Sequence, residues 1–264
     1  MTNGQEVIAS LAERPERAGL IMDFDGVLSP IVADPGESRL LPGTAEVIAD
    51  LAAEFAVVAL LSGRPVAFLA DRANVPGVAL LGAYGVETQR DGQRHVIPQV
   101  ESFRATVARA SAELHRRFDD APGIRVEDKG LAVAVHWRQA RDEPAARRLV
   151  QDAVSALIAG TGLHREPGKL VEELRPPVGQ DKGTAVRRLV QEAGLERVAY
   201  AGDDLGDVPA LQAVAELGGH ALVVAYGAET SPAVTDAADV VFEGAEGFAG
   251  WLRELRDTLV AAQR

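Results

Sequence analysis

One stretch, Leu20-Ile21-Met22-Asp23-Phe24-Asp25-Gly26-Val27-Leu28, limits what this chain can become. Leu20 to Met22 read as the end of a buried parallel strand, because both faces of such a strand are covered. Side chains alternate along a strand, so Asp23 and Asp25 leave it on one face. Gly26 then lets the backbone turn away. Two carboxylates held this close repel each other unless a proton or a cation intervenes. A loop acid beside a helix cap is the plainer reading of one such pair. A second apolar run ends the same way, Val198-Ala199-Tyr200-Ala201-Gly202-Asp203-Asp204, and favours a shared site.

The pattern around these runs is alternating. Strands are expected at Gly19–Phe24, Phe55–Leu61 and Val78–Leu81, with helices at Pro42–Glu54 and through Phe68 and Leu69. That order implies a parallel sheet with helices on both faces. The pattern then changes. A long helix at Val100–Phe118 precedes strands at Ile124–Asp128 and Leu131–Trp137. A helix at Pro144–Ala159 precedes strands at Leu163–Glu166 and Leu170–Leu174. Pro176-Pro177-Val178-Gly179 reads as a linker. Alternation then resumes: a helix from Lys182, a strand at Arg197–Ala201, a helix at Val208–Leu217, two short strands and a closing helix. The expected fold class is α/β, a Rossmann-like core of residues 1–86 and 177–264 split by an α+β insertion at 87–176.

Ligands of a parallel sheet sit at the C-terminal ends of its strands. Four such ends carry polar groups here: Asp23 with Asp25, Ser62 with Arg64, Tyr84 with Glu87, and Asp203 with Asp204 and Asp207. Lys182-Gly183 opens a further helix. An oxygen-rich set without sulfur suits a hard cation, Mg2+. Together these groups suit phosphoryl transfer to a carboxylate. Asp23 would attack phosphorus, Asp23 and Asp203 would hold the cation, and Lys182 and Ser62 would hold phosphate oxygens. Asp25 would protonate the leaving alkoxide and then activate water. Asp204 and Asp207 would support the metal site, either as ligands or by holding the loop through backbone amides.

These segments resemble the haloacid dehalogenase superfamily: Asp23-x-Asp25-Gly26, then Ser62, Lys182 and Gly202-Asp203-Asp204-x-x-Asp207 in order. Within it the chain is similar to trehalose-6-phosphate phosphatases over almost its whole length. The carrying pieces are Leu61-Ser62-Gly63-Arg64, Gly82-Ala83-Tyr84-Gly85-Val86-Glu87, Glu127-Asp128-Lys129-Gly130, His136-Trp137-Arg138, Gly168-Lys169 and Glu173-Leu174-Arg175-Pro176. The resemblance implies metal ligation by Asp23, Asp25 and Asp203, with Gly63 beside Ser62 at the phosphate. It implies a sugar side lined by Lys129, His136, Lys169 and Glu173, with Arg64, Tyr84 and Glu87 as further substrate contacts. The insertion resembles the large α/β cap of one subclass, and a cap that closes over the core is expected, with Gly85 and Pro176-Pro177 as candidate hinges. Val27 stands where many relatives carry threonine, Ala83-Tyr84 replaces serine-histidine, and Leu205-Gly206-Asp207-Val208 departs from the usual fourth motif. Another sugar phosphate or a pseudo-disaccharide phosphate therefore stays open as substrate. A non-catalytic sugar-phosphate sensor and a mutase stay open as alternatives to a phosphatase.

The 264 residues carry a net charge of -12 and no cysteine. The charge argues against a nucleic-acid partner, and the missing thiols exclude disulfides and sulfur-ligated zinc. No apolar stretch is long enough to span a bilayer, and residues 1–17 lack a signal-peptide core. A cytoplasmic monomer acting on a sugar phosphate, without membrane association, is the expectation.

Overall fold

A computed structural model describes residues 3–32, 34–168 and 170–262. It divides into two compact units, Met1–His95 with Gln180–Arg264, and Val96–Gly179.

The first unit contains α1 (Gly4–Ala12), β1 (Ala18–Met22), α2 (Thr44–Glu54), β2 (Val57–Leu61), α3 (Val66–Arg72), β3 (Val78–Gly82), β4 (Glu87–Arg90) and β5 (Gln93–Val96). The second unit contributes α4 (Pro98–Glu101), α5 (Arg104–Phe118), β6 (Arg125–Asp128), β7 (Val133–His136), α6 (Glu143–Thr161), β8 (His164–Gly168) and β9 (Val171–Arg175). The first unit resumes with α7 (Lys182–Ala193), β10 (Arg197–Gly202), α8 (Val208–Glu216), β11 (His220–Ala225), α9 (Pro232–Thr235), β12 (Val240–Glu243) and α10 (Gly244–Ala262).

The first unit's sheet has eight strands in the order β12-β11-β10-β1-β2-β3-β4-β5. The pairs from β12 across to β3 are parallel, and β4 runs antiparallel to β3. β1 lies at the centre, paired to β10 and β2. Leu20, Ile21 and Met22 are fully buried, a stabilisation of roughly 1.5–3 kcal/mol each. Their alternation divides them between two cores. Leu20 and Met22 pack with Ile48, Leu51 and Phe248 on one face, and Ile21 packs with Val186, Leu211 and Val214 on the other. α7 is capped by Asp181, whose carboxylate accepts from the Thr184 amide at 2.7 Å, and it ends at left-handed Gly194. The cap fixes where Lys182 begins the helix.

The boundaries of the insertion differ from the expected 87–176. Glu87 pairs with Gly82 and Thr88 with Leu81, so the β4–β5 hairpin extends the core sheet. Gly85 consequently lies inside the first unit, where its backbone packs on α7, and not at a junction.

The second unit is an antiparallel sheet in the order β6-β7-β9-β8. Val133, Val135 and Leu174 face α5 and α6 in its core, together with the buried Trp137. Paired positions share a face, so Glu127, Ala134, His136, Glu166 and Glu173 lie on the opposite side. No helix among the described residues is long and apolar enough to cross a membrane.

Candidate active site

The site grows from the ends of β1, β2 and β10, which are adjacent and in register. Asp23 continues the β1 ladder, its amide donating to the Ala201 carbonyl at 2.9 Å. Its carboxylate is buried. One oxygen accepts from the Phe24 amide at 2.7 Å, and the other lies 2.8 Å from Lys182 Nζ.

Lys182 is 3% exposed. Its ammonium also donates to Asp207 Oδ1 at 2.6 Å. The same oxygen accepts from the Tyr200 hydroxyl. Asp207 Oδ2 accepts from the amides of Asp203 at 3.0 Å and Asp204 at 3.1 Å. Four donors therefore occupy a fully buried carboxylate. Asp204 accepts from the Gly206 amide at 2.8 Å and completes the turn. The Asp207 side chain also leaves no room for one at Gly202: a Cβ there would stand 2.4 Å from Asp207 Cβ and Cγ.

Asp203 is in the opposite condition. Its carboxylate makes no hydrogen bond among the described residues, although it lies against Gly26, where a Cβ would stand 2.1 Å from Oδ2. One oxygen from each of Asp23, Asp203 and Asp207 falls within 4.8 Å of the others. Asp207 is already committed to four donors, so Asp23 and the uncommitted Asp203 are the carboxylates that fit a cation. The all-oxygen donor set suits a hard ion.

The charge balance makes the same point. Asp23, Asp203, Asp204 and Asp207 outnumber Lys182. Burial pushes Asp23 up to about 8 against the pull of Lys182, with Asp207 adding to the rise. Burial, Asp23 and Asp207 push Asp203 up to about 9. Burial likewise raises Asp204, with Asp207 reinforcing it. Asp207 goes down: burial opposes its ionisation, but Lys182 and the Tyr200 hydroxyl outweigh it. Burial works against the Lys182 ammonium, yet Asp207 and Asp23 carry it well above its ordinary value. A divalent cation beside Asp23 and Asp203 would restore both to carboxylates.

Asp25 is held by Ser38 Oγ at 2.7 Å and by two nitrogens of Arg64, Nε at 2.9 Å and Nη2 at 3.2 Å. The Arg64 guanidinium also lies 4.5 Å from the Phe68 ring centre. Ser62 is buried at the end of β2, its hydroxyl accepting from the Arg64 amide at 3.1 Å. Gly63 packs under the ring of Tyr84. Glu87 is 7% exposed and accepts from the Val66 amide at 2.9 Å, so it caps α3, whose own N-cap residue Pro65 has no side chain to do so. Glu87 thus has a structural role in this structure, tying β4 to the start of α3.

The second unit brings together Lys129 and Glu173, which form an ion pair. It also joins His136 Nε2 to Glu127 Oε2 at 2.8 Å. Lys169 lies outside the described residues.

Sequence reasoning passed over Tyr200, Tyr226 and Glu127. Tyr200 is fully buried beside Ile21 and reads in sequence as core. Its position in β10 just ahead of the aspartates was the available signal. Tyr226, at the end of β11, donates its hydroxyl to the Gly26 carbonyl at 2.9 Å and so fixes the turn after Asp25.

A family model described as trehalose-phosphatase matches residues 21–238. This chain belongs to the trehalose-phosphatase family. The match runs from β1 to the approach to β12 and includes both units. A trehalose-phosphate phosphatase of Mycobacterium marinum is 35% identical over 206 residues, which cover 75% of this chain and 52% of that protein. The chain thus spans about half the length of the curated relatives it matches. Among solved structures, a trehalose-6-phosphate phosphatase related protein superposes with TM-score 0.77 at 24% identity, covering 92% of this chain and 99% of its own. A haloacid dehalogenase-like hydrolase from Bacteroides thetaiotaomicron superposes with TM-score 0.62 at 15% identity, covering 90% and 99%. The fold is that of the haloacid dehalogenase-like proteins.

Proposed function

We propose that this protein is a Mg2+-dependent phosphatase that hydrolyses trehalose 6-phosphate to trehalose and phosphate. The observation that carries the reading is the division of labour among the clustered carboxylates. Asp207 is filled by four donors and holds Lys182 against Asp23, while Asp203 keeps its oxygens uncommitted. Family membership supplies the substrate class.

A bound Mg2+ would screen the charge of the incoming phosphate. Asp23 then attacks phosphorus, and the bond from phosphorus to the sugar oxygen breaks, leaving an aspartyl-phosphate. Asp25 gives its proton to the departing alkoxide. Asp25, now a carboxylate, takes a proton from water as that water's oxygen attacks phosphorus, and the bond to Asp23 breaks. Lys182, the Ser62 hydroxyl and the Gly63 amide hold the phosphate oxygens. Arg64 and Ser38 keep Asp25 oriented.

The sugar is assigned to the polar sheet face of the second unit, where Lys129, His136 and Glu173 offer donors and acceptors for hydroxyls. Lys169 belongs with them by its place in the family motif.

The test is phosphate release with magnesium from trehalose 6-phosphate, sucrose 6-phosphate, glucose 6-phosphate and a mannosyl-phosphoglycerate. Preference for trehalose 6-phosphate supports the whole reading. Preference for another member keeps Asp23 and its partners in role and removes the trehalose assignment. Binding without turnover by the wild-type protein would make it a sensor.

A further inference from the structure

β3 ends in a turn with three successive residues in the left-handed region: Ala83 at φ 49°, Tyr84 at φ 60° and Gly85 at φ 82°. Only glycine adopts this conformation without cost, and non-glycine residues held there concentrate where the surrounding structure needs them. The hydrogen bonds show what needs them. The Tyr84 amide donates to the Ser62 carbonyl at 3.0 Å, and the Ala83 amide donates to the Arg64 carbonyl at 2.8 Å. The turn thus grips both sides of Gly63.

A peptide unit is planar, so fixing the Ser62 carbonyl fixes the direction of the Gly63 N–H on the same unit. That N–H has no hydrogen-bond partner among the described residues. The neighbouring Arg64 amide is committed to Ser62 Oγ. The Tyr84 ring closes the other side: a Cβ on Gly63 would stand 3.0 Å from its Cζ and 3.1 Å from its hydroxyl oxygen. The opposite flank of the turn rests on α7. A Cβ on Gly85 would stand 2.4 Å from the Ala185 Cβ, and the Gly85 carbonyl accepts from Arg188 at 2.6 Å. Ala185 is one turn along from Lys182.

We propose that the left-handed Ala83–Gly85 turn is a positioning device for phosphate, with Tyr84 as its positioning residue. It presses on the Ser62–Arg64 loop from one side and on the Lys182 helix from the other. It thereby holds the Gly63 amide and the start of the lysine's helix in place relative to each other for a phosphoryl group. This inference rests on the phosphatase reading of the site.

Binding of inorganic phosphate in the presence of magnesium, followed by calorimetry, tests it without requiring turnover. Tyr84→Gly keeps a backbone at ease in the left-handed region but removes the ring. Its phosphate affinity should fall about tenfold, the loss of one well-aligned donor to an anion, while its melting temperature stays at or above that of the wild type. Ala83→Gly relieves the neighbouring strain and keeps the ring, and its affinity should stay within about twofold. Unchanged affinity in Tyr84→Gly overturns the proposal. So does an equal loss in Ala83→Gly, or loss of a cooperative melt in Tyr84→Gly, which would make the residue structural. A protein whose phosphate affinity depends on Tyr84 yet which leaves trehalose 6-phosphate intact would reject the substrate and keep the turn's role. A wild type that binds no phosphate rejects both.

Discussion

The two units treat charge in opposite ways. At the ends of β1 and β10, four carboxylates, two of them buried, crowd one buried ammonium, and Asp203 has no hydrogen-bonding partner among the described residues. On the sheet of the second unit each named acid has a base: Glu173 with Lys129, Glu127 with His136, Glu166 with Arg175 and Glu172 with Arg165. An unbalanced site is completed only by charge from outside, a cation and the phosphate it brings. A balanced surface offers hydrogen bonds without a strong net field, which suits a ligand made of hydroxyls. Under the proposed function, this contrast in charge separates chemistry in the first unit from sugar recognition in the second.

The largest break in this contrast should come from Asp23→Asn. Turnover should fall by about a thousandfold or more, the scale of removing a nucleophile, with phosphate binding retained in a calorimetric titration. A comparable loss from a variant of the second unit alone would contradict the division. Glu173→Ala, in that unit, should instead raise KM for trehalose 6-phosphate by about ten- to a hundredfold, since it removes one acceptor for the sugar hydroxyls and the carboxylate that orients the half-buried Lys129. Its hydrolysis of a small aryl phosphate should keep its kcat. Tyr200→Phe should lower kcat about tenfold with KM little changed, because Asp207 loses one of the donors that aim Lys182 at Asp23. Steady-state kinetics on the two substrates separates these cases.

The smallest and sharpest effect is in pH. Metal-free Asp23 and Asp203 are raised to about 8 and about 9 from an ordinary 3.8. The folded state therefore keeps protons that the unfolded chain releases. Stability from this pair is present in full below about pH 4 and is lost as pH rises through 8 to 9. Glu127 has the opposite sign. The hydrogen bond from His136 lowers it to about 2 from 4.5 despite burial, so its contribution holds above pH 4.5 and disappears as pH falls through 2. Hydrogen exchange in metal-free protein should speed up in β10 between pH 5 and 9, after correction for intrinsic rates, and not in β7. Magnesium should restore β10 protection at the alkaline end. Equal sensitivity in both strands would remove the contrast.

Much of the core site was legible because apolar runs that end in acids mark the C-terminal edge of a parallel sheet. Asp23 and Ser62 stand where that rule puts them, and Lys182 reaches Asp23 from the start of α7. What stayed hidden has identifiable physical causes. The β4–β5 hairpin, Glu87-Thr88-Gln89-Arg90 and Gln93-Arg94-His95-Val96, is polar at the sheet edge and carries no apolar alternation to announce it. Tyr200 sits inside an apolar run, where its hydroxyl is invisible to periodicity. Glu87 caps a helix that lies far off in sequence, a partnership made only by folding. Glu172 and Glu173 are neighbours with opposite fates. Strand alternation sends Glu172 beneath the helices to Arg165 and Gln151, and Glu173 to the polar face with Lys129.

The central claim is that Asp23 carries the phosphoryl group. Acid quenching during turnover of trehalose 6-phosphate with magnesium, followed by peptide mass spectrometry, tests it directly. The account predicts a phosphoryl group on Asp23 in the wild type and none on any residue of Asp23→Asn. Phosphate release with no label on Asp23 at any quench time, or a label on another residue, would contradict it.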